Sequence, residues 1–374
     1  MNDSYFDREQ TQIKHFALRS YLEVATRIIG RWKDFSFVDC CAGPWESRST
    51  DYSDTSFGIA VKVLQESRNW LRGQGKDSQM RALLIEERTK PFKELSSFAE
   101  QATGNLVEIE ARNWNFRKHV QGITQFVSNP PSFAFFFIDP TGWKPAKITG
   151  LTPLLAVRPS EVLVNLMSSF IVRFLNDDRT NLEEILGSDY RMMRKLPFEE
   201  QEDEAVRRYC NLLRSRGGFK YVCALPVMKP DQDAIHFYLI YGTRNAKGVE
   251  VFKQVEKKTE EQTHLVRALR QQKSRTTLDL FSADVLYNRE ERYRRLAEKQ
   301  HKVSLEAVNC LLSSQRKVLY DDCWAEALQF PTVYEADLRE WLGRWEQSGA
   351  IQIDGRSKPN EVLKREHGHL ITKK

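Results

Sequence analysis

Phe35-Ser-Phe-Val-Asp-Cys-Cys-Ala-Gly-Pro-Trp45 is the stretch on which the reading of this chain turns. A short apolar run ends in Asp39, and a small-residue loop follows through Ala42, Gly43 and Pro44. Small residues let a backbone approach a ligand closely, and the helix expected beyond the loop, from about Ser56 to Leu71, offers unpaired N–H groups at its start. An ordinary strand-to-helix turn looks the same at one glycine, so the surrounding pattern has to decide.

Upstream, Ile13, Phe16, Ala17, Tyr21, Ala25, Ile28 and Ile29 recur at helical spacing, and Gly30 marks the exit. Downstream come four more short apolar runs: Arg81–Ile85 before Glu86, Leu106–Ile109, Phe133–Ile138 before Asp139, and Glu161–Leu166. Strands alternating with helices predict right-handed βαβ units on a parallel sheet. Near-continuous apolar strands predict a sheet covered on both faces. Residues about 171–215 read as a charged helical insertion. Phe219–Leu225 and Ile235–Tyr241, joined through Pro230 and Asp231, read as a hairpin. Five parallel strands closed by a hairpin predict an α/β Rossmann-like fold of the methyltransferase type. Its sheet is mostly parallel and seven-stranded, and it spans residues 1–250.

The remaining chain reads as a helical linker over 251–302 and a separate unit over 303–374. In that unit helices are expected at Ser304–Leu312, at Asp321–Phe330, and from Pro331 through Leu338, Trp341, Leu342 and Trp345 to Gly349. Ala350–Pro359 reads as strand, tight turn and return strand, with Asp354-Gly355 at the turn. Three helices and a hairpin predict a winged helix-turn-helix.

Composition sets outer limits. With 374 residues, two domains are expected. A hydrophobic fraction of 41% and a charged fraction of 29% exclude wholesale disorder, collagen and coiled coil. The net charge of +6 tolerates a nucleic-acid partner without demanding one. Six cysteines without a C-x-x-C pair predict free thiols in a reducing compartment. Met1-Asn-Asp-Ser-Tyr predicts no signal peptide, and no apolar run approaches a membrane span. A cytoplasmic protein away from membranes is expected.

The chemistry-bearing residues stand at strand ends. Asp39 is expected to hold an ordered water or a ligand ammonium, with Ala42, Gly43 and Pro44 against the methionine part of S-adenosylmethionine (SAM). Glu86, one unit later, can accept two hydrogen bonds from ribose hydroxyls; a solvated strand-end glutamate is the plainer reading. Asn113 can contact an adenine edge, although Asn is also a common turn residue. In Asp139-Pro140-Thr-Gly142-Trp143 the carboxylate and the Pro140 carbonyl can accept hydrogen bonds from an exocyclic amine and align its lone pair. The alternative there is a type I turn. Trp143 or Trp114 can stack on a flipped-out base.

No Pro-Cys pair supplies the nucleophile of cytosine C5 methylation. The seven histidines show no metal-spaced cluster, so no metal is expected, and no acid-plus-lysine grouping of a nuclease is evident. In the last unit Arg339 and Arg344 share the third helix with Glu335, Asp337, Glu340 and Glu346, which makes it a poor groove-reading helix. Arg356 and Lys358 of the wing, with Lys364, Arg365, Lys373 and Lys374 of the tail, suit phosphate contacts better.

These residues together resemble the three-Cys-motif partner protein family (TcmP) over nearly the whole chain. The matching pieces are Lys14 through Tyr21, Phe37-Val-Asp-Cys-Cys-Ala-Gly-Pro44, Ile85-Glu86, Phe137-Ile-Asp-Pro-Thr-Gly142, Phe237-Tyr-Leu-Ile-Tyr-Gly-Thr243 through Gly248, and the C-terminal winged helix. The resemblance implies a SAM-methyltransferase-like core. It also implies a three-Cys-motif radical-SAM-like partner protein and a phage- or mobile-element-linked system for nucleic-acid modification or repair. The family's glycine loop usually reads Ala-Gly-Pro-Gly, whereas Trp45 stands here in the last place. An indole there either blocks the methionine moiety or swings aside. The expected activity is therefore SAM-dependent methylation of a nitrogen on a nucleic-acid base. The alternative is a non-catalytic Rossmann-like subunit that binds nucleic acid or a partner protein through its winged helix.

Overall fold

The computed structural model describes residues 5–43, 47–274, 290–358 and 361–374. They fall into two compact units, Met1–Val222 with Pro226–Leu280, and Cys223–Leu225 with Phe281–Lys374.

The first unit follows the alternation of the sequence. In order come α1 (Glu9–Ile29), β1 (Phe35–Asp39), α2 (Ser56–Gly73), β2 (Met80–Ile85), α3 (Thr89–Ala102), β3 (Glu108–Arg112), α4 (Val120–Ser128), β4 (Phe133–Ile138), α5 (Ile148–Leu155) and β5 (Ser160–Leu166). Then α6 (Ser168–Arg173), α7 (Glu183–Leu186), a 3-10 turn at Tyr190–Lys195 and α8 (Phe198–Ser215) precede β6 (Tyr221–Met228), β7 (Ile235–Thr243) and α9 (Ala246–Ser274). The seven strands lie in the order β3-β2-β1-β4-β5-β7-β6. β1 pairs in parallel with β2 and β4, β2 with β3, and β4 with β5, while β7 runs antiparallel to β5. The unit is thus α/β with a mostly parallel seven-stranded sheet, compatible with a Rossmann-like fold. The helical stretch after β5 is the connection that carries the chain to the far edge, from which β7 returns into the gap beside β5.

The strands need no amphipathic alternation because both faces are covered. All of β1, β2 and β5 is buried. Phe35 stacks on Phe133 at 5.7 Å and Phe37 on Phe135 at 6.3 Å across the central strand pair. Burying such a ring contributes roughly 2–3 kcal/mol by area. The register Asp39↔Phe137 brings the acid that ends β1 level with the end of β4. This ordering of apolar strand and polar strand end puts every sequence-marked acid on one rim of the sheet.

The second unit holds α10 (Glu291–Ser314), β8 (Val318–Leu319), α11 (Tyr320–Ala327), α12 (Glu335–Gln347), β9 (Ile351–Asp354) and β10 (Leu370–Lys373). Its sheet order is β8-β10-β9, and β10 is antiparallel to both neighbours. Trp324, Leu338, Leu342 and Ile371 are buried in its core. At the start of α12 the Asp337 carboxylate accepts the Tyr334 N–H at 2.7 Å, which satisfies one unpaired helix-end donor.

Two expectations change. The return strand of the hairpin is not in 356–358 but at Leu370–Lys373, where Ile371 faces Ile353. Arg356-Ser-Lys-Pro has no apolar residue to bury before a residue without an N–H donor, whereas Leu370-Ile-Thr supplies the buried Ile371 and β-prone neighbours. The boundaries at 250 and 302 also fall inside helices. α9 begins at Ala246 because Val249, Val251, Phe252 and Val255 continue one buried face, and α10 runs unbroken from Glu291. The middle of the expected linker, 275–289, and Pro359 lie outside the described residues.

Candidate functional site

The rims of β1, β2 and β4 enclose a cavity lined by Cys40, Cys41, Glu86, Trp114, Asp139 and Pro140, with Glu87, Arg88, Asn115, Phe116, Arg117, Thr141 and Pro145 completing its wall. β1 and β4 diverge here in chain order, since β1 connects to β2 on one side while β4 continues on the other. Open α/β sheets bind ligands at that switch point.

Asp39 is fully buried. Its Oδ1 accepts the Cys41 N–H at 3.0 Å and its Oδ2 accepts the Ser56 hydroxyl at 2.7 Å. Ser56 opens α2, whose N-cap Thr55 accepts the Gly58 N–H at 3.1 Å. Loss of solvent dominates the charge balance, and the nearby Asp139 adds to it, so the Asp39 carboxyl is pushed up to about 7. The following loop is pinned by main-chain bonds from Cys40 to Phe137 and from Ala42 to Ile85. Ala42 is buried and Gly43 half-buried. Pro44 and Trp45 lie outside the described residues.

Asp139 follows β4 directly. Asn165 at the end of β5 donates to its Oδ1 at 2.7 Å, and Lys14 from α1 donates to its Oδ2. The carboxylate is held from two sides, and each oxygen keeps a second lone pair for a further donor. Asn165 Oδ1 is itself buried without a hydrogen-bond partner. Pro140 is buried against the rim, and Gly142, which does not line the cavity, has φ +103, a conformation that favours glycine.

Glu86 is buried beside the cavity, and its Oε1 accepts the Arg88 N–H at 2.7 Å. Asn113 is exposed and does not line the cavity. Its amide donates to the Glu86 and Glu87 carbonyls at 2.9 and 3.0 Å, which braces the loop after β2. The contact surface comes from the next residue instead. Trp114 lines the cavity, stacked 5.2 Å from His119 at an interplanar angle of 3°. Gly122 leaves room for that indole, since a Cβ there would stand 2.7 Å from its edge. Trp143 is a core residue, packed 6.0 Å from Phe174, and is absent from the cavity wall.

The expected lack of an acid-plus-lysine grouping is overturned, because the fold joins Lys14, Asp39 and Asp139 across more than a hundred residues of sequence. Lys14 neutralises Asp139, and Asp39 is spent on Ser56 and Cys41. The grouping orients hydrogen bonds and leaves no open pair of carboxylates for a metal. Cys40 and Cys41 are no nucleophiles: burial and the neighbouring carboxylates push both thiols well up.

Tyr21, Tyr241, Thr243 and Gly248 form a different centre. Tyr21 donates to Glu161 and shares a 2.6 Å bond with Tyr241, and Thr243 donates to Glu161 at 2.8 Å. Burial raises the Glu161 carboxyl, and these hydroxyls offset it. That cluster staples α1, β5, β7 and α9 together.

In the second unit, Arg356 is clamped by Glu346 at 2.8 and 2.9 Å, so it is not an open phosphate contact. Lys358 is exposed. On α12, Arg339 pairs with Glu335 at 2.6 Å and Arg344 with Glu340. The fold gathers one group that histidine spacing along the chain does not reveal, Glu361, His367 and His369. Among the described residues no helix is long and apolar enough to cross a membrane.

No protein-family model matches the chain. No curated protein matches it. Three solved chains do match. One is a Legionella pneumophila protein of the DUF519 family, 10% identical, aligned over 68% of this chain and 92% of that one with a TM-score of 0.39. A likeness of that size carries no argument about this chain.

Proposed function

We propose that the protein is a SAM-dependent methyltransferase of the three-Cys-motif partner family, acting on a nitrogen of a nucleic-acid base. The observation that carries this reading is the convergence of Glu86 and Asp139-Pro140 on one cavity at the switch point of the sheet, with Asp39 buried behind the Cys40-Cys41 part of its wall. The residues fit the cofactor. Asp39, bonded to the Cys41 N–H and the Ser56 hydroxyl, fixes the first loop against the cavity, and Glu86 at the end of β2 suits vicinal hydroxyls. Ala42 and Gly43 leave the first loop small enough for close approach. SAM supplies an activated methyl group when bound. Asp139 and the Pro140 carbonyl accept hydrogen bonds from the target amine and turn its lone pair inward, with the displaced proton leaving to solvent. Lys14 and Asn165 are positioning residues that hold Asp139. Trp114 offers the stacking face for an extruded base.

Calorimetric titration with SAM and S-adenosylhomocysteine tests the cofactor. Micromolar binding is expected, weakened about tenfold or more by Glu86→Ala, since a charged acceptor is worth roughly 1.5–3 kcal/mol. Asp139→Ala spares that binding and abolishes methyl transfer to nucleic acid. Absence of binding at millimolar cofactor refutes the proposal.

One observation favours a second reading for the C-terminal unit. Its Arg339, Arg344 and Arg356 are already paired with acids, which suits a protein partner better than a DNA groove. That partner is the three-Cys-motif radical-SAM-like protein, and co-purification of the two chains tests it.

A further inference from the structure

Glu361, His367 and His369 stand close together in the connection from β9 to β10. One ligand atom from each lies within 4.8 Å of the other two. Glu361 Oε1 is 3.6 Å from His367 Nδ1. The other carboxylate oxygen is fixed by the Ser357 N–H at 2.6 Å and the Ser357 hydroxyl at 2.8 Å. The two imidazoles lie 5.7 Å apart at 24°. His369 is 0% exposed, and neither of its ring nitrogens has a hydrogen-bond partner. Leaving a buried polar atom unpaired costs about 1–3 kcal/mol. A whole imidazole in that condition, aimed at a carboxylate and a second imidazole, is explained by a ligand that accepts lone pairs.

The backbone is built to present these groups. Gly355 and Gly368 have φ +89 and +71, and a Cβ on Gly355 would stand 3.3 Å from the Gly368 carbonyl. The two ends of the connection therefore close on each other. The His369 carbonyl accepts the Tyr320 N–H at 2.9 Å, which fixes the ring's origin at the edge of the small sheet.

We propose that Glu361, His367 and His369 form a binding site for a zinc-class divalent cation that staples the β9–β10 connection. Two imidazoles and one carboxylate suit Zn²⁺ and its borderline neighbours, whereas Ca²⁺ and Mg²⁺ demand all-oxygen shells. Bonds of about 2.0–2.1 Å around a tetrahedral ion set ligand atoms about 3.4 Å apart. Small rotations of the exposed His367 and of Glu361 close the present separations. Ser357 supplies the outer hydrogen bonds that orient the carboxylate. A fourth position stays open to water.

The test uses tag-free full-length protein, stripped with EDTA and titrated with ZnCl₂ by calorimetry, with Co²⁺ absorption reporting coordination geometry. One ion per chain in a tetrahedral nitrogen–oxygen field is expected. His367→Gln and Glu361→Gln should each weaken binding more than about tenfold. Cys310→Ser, which removes an exposed thiol outside the site, should leave it unchanged. Both variants alter exposed or half-exposed side chains, so folding is retained and checked by circular dichroism. Absence of zinc binding at micromolar concentrations overturns the proposal, and so does binding that both variants leave intact.

Discussion

At the scale of the residue, Asp39 and Asp139 show how one rim gives two like side chains different work. Asp139 is held by Lys14 and Asn165, whereas Asp39 is fully buried and depends on a hydroxyl and an N–H. The folded Asp39 carboxyl, raised from 3.8 to about 7, binds a proton over a range where the unfolded chain does not. Stability therefore falls as pH rises from about 4 to about 7, and the cost then levels off at about 4 kcal/mol. Asp39→Asn should raise the denaturant midpoint at pH 8 and have a much smaller effect at pH 5. Equal shifts at both values, measured by urea titration, would contradict the burial argument. The same variant should lose SAM affinity under the proposed function, as expected when a binding group is kept at the expense of stability.

At the scale of the element, Gly248 matters more than its place in a helix suggests. A Cβ there meets Tyr241 Oη at 2.4 Å, Glu161 Oε1 at 2.6 Å and Thr243 Oγ1 at 2.7 Å. All three are buried members of the cluster that joins α1, β5, β7 and α9. Gly248→Ala should cost roughly 1–3 kcal/mol through overpacking, read as a lower urea midpoint, although alanine favours helix. The return strand of the second unit makes an independent case. Ile371 is buried opposite Ile353, so Ile371→Ala should cost about 2–5 kcal/mol. Ser357→Ala, in the stretch first expected to be that strand, should cost far less.

At the scale of the whole molecule, charge separates the two proposed partners of the C-terminal unit. The chain carries a net +6, and Lys358 is one of its exposed cations. If nucleic acid binds through this unit, Lys358→Ala should reduce the slope of log affinity against log salt by about 1. An unchanged slope in fluorescence anisotropy would move that role to a protein partner.

Strand position, strand type and the acids at strand ends were legible in the sequence because each is a local property. Unbroken apolar runs such as Phe133–Ile138 are long enough to cross a covered sheet, and the first acid after them must stand at its rim. Asp39, Glu86 and Asp139 were found that way. Trp143 and Asn113 were misplaced because a side chain's direction depends on neighbours far along the chain. Trp143 found Phe174, and Asn113 found the carbonyls after β2. The Lys14–Asp139 pair, the Tyr21–Glu161–Tyr241 cluster and the Glu361–His367–His369 group had no signature of spacing. His367-Gly-His369 was the one fragment of the last group visible in sequence, and its acid lies six residues earlier across a turn. Local pattern determined the strands and their rims. Tertiary structure alone decided which polar groups share a site, because partners separated by many residues meet only after the strands are ordered.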